Sequence, residues 1–154
     1  MNRKFVGAAT AAIVAALVPL VSASPAYAFA NPVDVQMVNE TGHDMVLECT
    51  SPHKDYTVQS GGSVSFTGHA GVTSSDDDVS CKASVASDSM GEARFDVAIR
   101  NPHFGKPSVT VYTHKHKFAV GGSWTTSYNF VHVHVKRLAD TNNEHKSFVI
   151  TYTL

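Results

Sequence analysis

Beyond its first thirty residues the chain has no apolar run of the roughly 20 residues that a membrane-spanning helix requires. Nor does any segment space its apolar residues at the helical period of 3.6, so an amphipathic helix is not expected. Motifs for well-known chemistries are missing too: no His-Glu-x-x-His, no Gly-x-Ser-x-Gly and no glycine-rich phosphate loop. Cysteine is scarce, with only Cys49 and Cys81. Two cysteines in an exported chain point to one disulfide rather than to a thiolate metal site or a catalytic thiol. These absences direct attention away from an enzyme with a textual signature and towards an all-β binding protein.

The first segment has the form of a secretory leader. Arg3 and Lys4 give a basic start, Phe5 to Val21 are apolar and rich in Ala and Val, and Ala26-Tyr27-Ala28 is a small-x-small cleavage site. Cleavage after Ala28 is expected to leave one domain over 29–154, secreted and extracellular, and the leader has a bacterial character. Its charge is uneven: residues 29–92 carry ten acids and two bases, net −8, and residues 93–154 carry three acids and eight bases, net +5. Six of the nine histidines fall in the basic half. The simplest expectation is that the halves interleave in space and neutralise each other.

From Val33 onward the hydrophobic period is two. Val33, Val35 and Met37 alternate with polar neighbours, Asn39-Glu-Thr-Gly42 makes a turn, and Met45, Leu47 and Cys49 resume the alternation. Similar short runs recur around Tyr56 and Val58, Val64 and Phe66, 79–85, 93–99, 108–120, 123–137 and 146–153. Eight or nine strands separated by Gly, Asn, Asp and Pro turns predict an antiparallel β-sandwich, with a closed barrel as the alternative. No internal repeat stands out. Cys49 and Cys81 share parity with the apolar positions of their strands, so a buried bridge between strands is expected; closing about 30 residues would add roughly 3–4 kcal/mol.

Two His-x-His pairs flank Gly121-Gly122: His114 with His116, and His132 with His134. Residues i and i+2 of a strand share a face, and imidazoles so placed suit copper or zinc. If 108–120 and 123–137 form one hairpin closed by Gly121-Gly122-Ser123, Val109, Val111, Val131, Val133 and Val135 share a face. All four histidines then lie opposite them, with His114 roughly 7–8 Å from His132. A bulge near His114 to Lys117 would separate the pairs, and Lys115 and Lys117 would repel a cation.

The same hairpin would carry Phe118, Trp124, Tyr128 and Phe130 near its tip, flanked by Lys115, Lys117, Lys136 and Arg137. Aromatics at such a tip can enter a membrane interface or stack on sugars, and the cations suit an anionic surface. The plainer alternative is that they cover the end of the core. Ser51-Pro-His-Lys54 spells Ser-x-x-Lys without its companion motifs, Asp76-Asp77-Asp78 has oxygen ligands of the kind Ca²⁺ takes, and Asn39-Glu-Thr41 is a glycosylation acceptor only in a eukaryotic route.

In outline, as an exported antiparallel domain with Asn39-Glu-Thr41 after the first strand and aromatic hairpins, the chain resembles the small membrane-binding β-sandwich proteins of the aegerolysin and actinoporin-like groups. That resemblance is one of architecture and size and assigns no site residue. The function expected from the sequence is non-enzymatic binding of lipid headgroups or glycans through the aromatic hairpin. Extracellular copper or zinc capture and a small membrane-active toxin are the alternatives. No other cofactor is expected, and nucleic acid is not an expected partner.

Overall fold

The computed structural model describes residues 32–68, 77–102, 105–140 and 146–154. The leader and Asp76 lie outside these residues, as do His69, His103 and His145. Every element within them is a strand: β1 Val33–Glu40, β2 Met45–Ser51, β3 His53–Val58, β4 Ser63–Gly68, β5 Val79–Ser87, β6 Gly91–Arg100, β7 Ser108–Val111, β8 His114–Lys117, β9 Ser123–Tyr128, β10 Val131–Arg137 and β11 Lys146–Thr153. They form a five-stranded sheet, β4-β1-β11-β10-β9, and a six-stranded sheet, β3-β2-β5-β6-β7-β8. All neighbours are antiparallel except β1 and β11.

The alternation read from the sequence sets which side of each strand is buried. Val33, Val35 and Met37 of β1 meet Val131, Val133 and Val135 of β10 and Phe148, Ile150 and Tyr152 of β11 in one core. The other sheet supplies Met45, Leu47, Val79, Ala83, Val85, Phe95, Val97, Ile99, Val109 and Val111. Cys49 and Cys81 sit directly opposite each other on β2 and β5, both buried, and are joined by a disulfide.

The described residues form eleven strands where eight or nine were expected, because both long C-terminal runs contain a hairpin. Tyr112-Thr113 turns β7 into β8, and Asn129-Phe130 turns β9 into β10. A two-residue turn flips the parity of the buried face. Odd residues point inward on β7 and β10, whereas His116, Phe118, Trp124 and Tyr128 carry the even, inward parity of β8 and β9. The even parity of these aromatics beside the odd valines thus comes from two turns and not from a bulge. Gly121-Gly122 does not close a hairpin; it lifts the chain from β8 at the edge of one sheet to β9 at the edge of the other.

That crossover has a twin 60 residues earlier. Gly62 N–H donates to Gln59 at 2.9 Å and Gly122 N–H to Ala119 at 3.0 Å, with Gly61 and Gly121 at φ +76° and +72°. Positive φ at the third turn position is the type II arrangement that favours glycine. Each turn joins an edge strand of the six-stranded sheet to an edge strand of the five-stranded one. Strand order and direction then match about an approximate twofold axis: β3, β2 and β5 correspond to β8, β7 and β6, and β4 and β1 to β9 and β10. Only β11, parallel to β1 and antiparallel to β10, breaks the relation. The run β2-β3-β4 thus recurs in order as β7-β8-β9, where the residues show little more than two Gly-Gly-Ser turns.

The two sequence halves do not interleave. β1 to β5 lie on one side of this axis and β6 to β10 on the other, so the acidic and basic halves sit side by side.

Candidate functional site

The residues singled out in the sequence go to three places. Phe118 is fully buried, edge-on to Phe148 at 5.6 Å between ring centres, and its carbonyl accepts a 3.1 Å hydrogen bond from the buried Arg137 Nη1. It belongs to the core and is not available to an outside surface. Trp124 is half-buried and stacks on His116 at 5.6 Å with planes 8° apart. This pair closes the open side of the sandwich between β8 and β9. Tyr56 and Phe66, stacked at 5.3 Å, close the opposite side between β3 and β4. Lys115 and Lys117 are exposed on β8, with the parity opposite to that of His116.

The single histidine face does not form. His114 and His116 are on the six-stranded sheet, whereas His132 and His134 lie on the outer face of the five-stranded sheet. The registers responsible are β7 with β8, which sets His116 against Val109, and β9 with β10, which sets His134 against Thr125. His134 Nδ1 and Thr125 Oγ1 are 2.9 Å apart. Among the described residues no group of three or more His, Cys, Asp or Glu side chains is placed to hold a metal ion.

A more developed site lies where β7 and β8 stop short of the end of β6. Tyr112 extends the pairing of β7 along β6, its N–H donating to the Asp96 carbonyl at 2.7 Å, and the chain then reverses. Past this point Tyr128, arriving from the other sheet, covers Phe95 at 6.1 Å in an edge contact and stacks on Tyr112 at 4.5 Å. Asn129 Nδ2 donates to the Glu92 carbonyl at 3.2 Å and fixes the neighbouring turn against β6. The two tyrosines form the wall of a cleft of about 470 Å³ lined also by Glu48, Lys82, Glu92, Arg94 and Asp96.

Tyr112 is held there against its backbone preference. Its φ is +57°, at the turn position where two-residue hairpins favour Gly, Asn or Asp. A bulky residue at positive φ costs about 1–2 kcal/mol. The residue is nevertheless 41% exposed, so burial does little to offset that cost. Hydrogen bonding to Tyr128 raises the Tyr112 phenol above its ordinary pKa, so Tyr112 stays neutral at physiological pH. Glu92 is held below the ordinary carboxylate range by its hydrogen bond to Arg94, the two being 2.8 Å apart.

The charges on the floor of the cleft follow from strand register. Asp55, Glu48, Lys82 and Asp96 stand opposite one another across β3, β2, β5 and β6, so opposite signs neighbour along much of the row. A second hollow of about 370 Å³ shares Glu48, Lys82 and Asp96 with the first and continues towards Asp77 and Asp55. Together they form a groove across the outer face of the six-stranded sheet. Tyr128 was legible as an aromatic candidate, but Tyr112, Glu48, Lys82, Glu92, Arg94 and Asp96 were not. They come from four different strands and turns, and only pairing assembles them.

No protein-family model matches the chain, and no curated protein matches it.

Proposed function

We propose that this is an exported, non-enzymatic binding protein that holds a glycan in the groove beside Tyr112 and Tyr128. The observation that carries this reading is the exposed Tyr112, kept at positive φ and stacked on Tyr128 at the wall of a cleft rich in charged side chains. A sugar offers a C–H face that packs on an aromatic ring and hydroxyls that pair with carboxylates and guanidinium groups. The cleft provides both, with three acids and two bases around the tyrosines. That balance suits a neutral polyol better than an anionic headgroup, whose phosphate would face Glu48, Glu92 and Asp96.

The continuation of the cleft into a second hollow favours several sugar units over one. Export is supported by the leader-like N-terminus and by the disulfide. Titration of the purified protein with soluble polysaccharides, alongside neutral and anionic liposomes, tests the reading. Saturable polysaccharide binding weakened at least about tenfold by Tyr112→Ala supports it. Binding confined to liposomes and indifferent to Tyr112 removes this site.

A further inference from the structure

The two sheets end differently. The six-stranded sheet ends in charged strands, His53-Lys54-Asp55 in β3 and His114-Lys115-His116-Lys117 in β8, which discourage further pairing. The five-stranded sheet ends in β4, Ser63-Val-Ser-Phe-Thr-Gly68, and β9, Ser123-Trp-Thr-Thr-Ser-Tyr128. Neither has a charged residue or a proline. Both are six residues long and related by the approximate twofold axis.

We infer that the protein associates with itself head to tail, β9 of one copy pairing with β4 of the next to continue the five-stranded sheet. Strand direction permits this: β4 runs against β1, β1 runs with β11, and β9 lies two antiparallel steps beyond β11. Two copies with their strands in the same sense therefore bring β9 and β4 together antiparallel, the second copy turned about the strand direction so that the wider six-stranded sheets fan apart. Backbone polarity permits it too. Tyr128 and Val131 close a two-residue hairpin as a hydrogen-bonded pair, so by alternation Ser123, Thr125 and Ser127 turn their N–H and C=O groups away from β10. On the other edge Asn39 bonds across to Gly61 and Gly62, so alternation turns Ser63, Ser65 and Thr67 away from β1.

One register satisfies the backbone and both faces. With Thr125 opposite Ser65, Ser123 meets Thr67 and Ser127 meets Ser63 on the outer face, while Trp124 meets Phe66 and Thr126 meets Val64 towards the core. Hydroxyl–hydroxyl and aromatic–aromatic partners of this kind are the favourable cross-strand pairs. Charge selects the unlike contact over the two like ones. The β4 edge belongs to the half with net −8 and the β9 edge to the half with net +5, so β4 against β4 and β9 against β9 both oppose like charges.

Sedimentation velocity of purified protein across a concentration series tests this with two variants that remove an edge-pointing N–H, Ser65→Pro and Thr125→Pro. Proline is tolerated at an edge, and a thermal-unfolding scan of each variant checks the fold. Should either variant fail to fold, Ser65→Lys and Thr125→Asp, each giving its edge the charge that the opposing edge already carries, take their place. Wild-type protein is expected to form a concentration-dependent ladder beyond the dimer, weakened severalfold or more between roughly 50 and 500 mM salt. Each variant alone is expected to stay monomeric, and an equimolar mixture to stop at dimers through its one intact pair of edges. Wild-type protein that stays monomeric at every concentration overturns the inference. Dimers from either variant alone overturn the head-to-tail contact in favour of a like one.

Discussion

Tyr112 and Phe118 are six residues apart and have opposite roles. Tyr112 pays a backbone penalty while exposing its ring, so its side chain is replaceable for folding and needed for the cleft. Tyr112→Asn places a residue that tolerates positive φ in the same turn. Its melting temperature is expected to stay within about 4 °C of wild type, with glycan binding lost in the same titration. Phe118 is the reverse case, buried against Phe148 and His116. Phe118→Ala should destabilise by about 3–5 kcal/mol in denaturant unfolding, and a change below 1 kcal/mol would mean the ring is not packed as described. The sequence showed an aromatic cluster but could not distinguish these roles. Phe118, Trp124 and Tyr128 all carry even numbers, and burial separates them by what packs around each: Phe118 meets Phe148 and His116 in the core, whereas Trp124 stacks on His116 at the open side.

At the level of elements, the legible parts were those in which local pattern and pairing agree. β1, β2, β5, β6 and β11 follow from alternation, and the parity of Cys49 and Cys81 placed both thiols inward before any pairing was known. The β9–β10 turn carried a signal in Asn129, at φ +53°, that the aromatic and β-branched residues on both sides of it masked. The β7–β8 turn carried none, because Tyr112 occupies a position where glycine or asparagine normally announces a reversal. Missing those two turns merged four strands into two and put the histidines on one imaginary face. The segment after β10 makes a separate prediction. Burial pushes the Asp140 carboxyl up, but Lys146 at 3.0 Å and Arg137 at 2.8 Å outweigh it and hold its pKa below the ordinary value. A carboxylate lowered on folding adds stability above its unfolded pKa of about 3.9 and loses it as pH falls through the folded value. Asp140→Asn should therefore cost about 1 kcal/mol at neutral pH. The gap to wild type should close in urea titrations below about pH 3; a gap that persists there would assign the loss to packing.

On the scale of the whole molecule, the approximate twofold axis orders features that look unrelated along the chain. It pairs the two Gly-Gly turns, the aromatic stacks that close each side, and the two uncharged edges. The cleft is where the symmetry is not used alike, because Tyr112 and Tyr128 lie on the β8–β9 side alone. The disulfide ties β2 to β5 within one half. With a sequence separation of 32, its removal by Cys49→Ser with Cys81→Ser should cost roughly 3–4 kcal/mol in equilibrium unfolding. The cleft should survive that change, since its wall and floor are built chiefly from β5, β6, β9 and the β7–β8 turn.

The central claim is that the tyrosine-walled groove binds a glycan. The most direct test is a glycan array probed with wild-type protein and with Tyr112→Asn. The account predicts a restricted set of neutral oligosaccharides bound by wild type and lost in Tyr112→Asn. The same glycans bound equally by both proteins, or none bound by wild type, would contradict it.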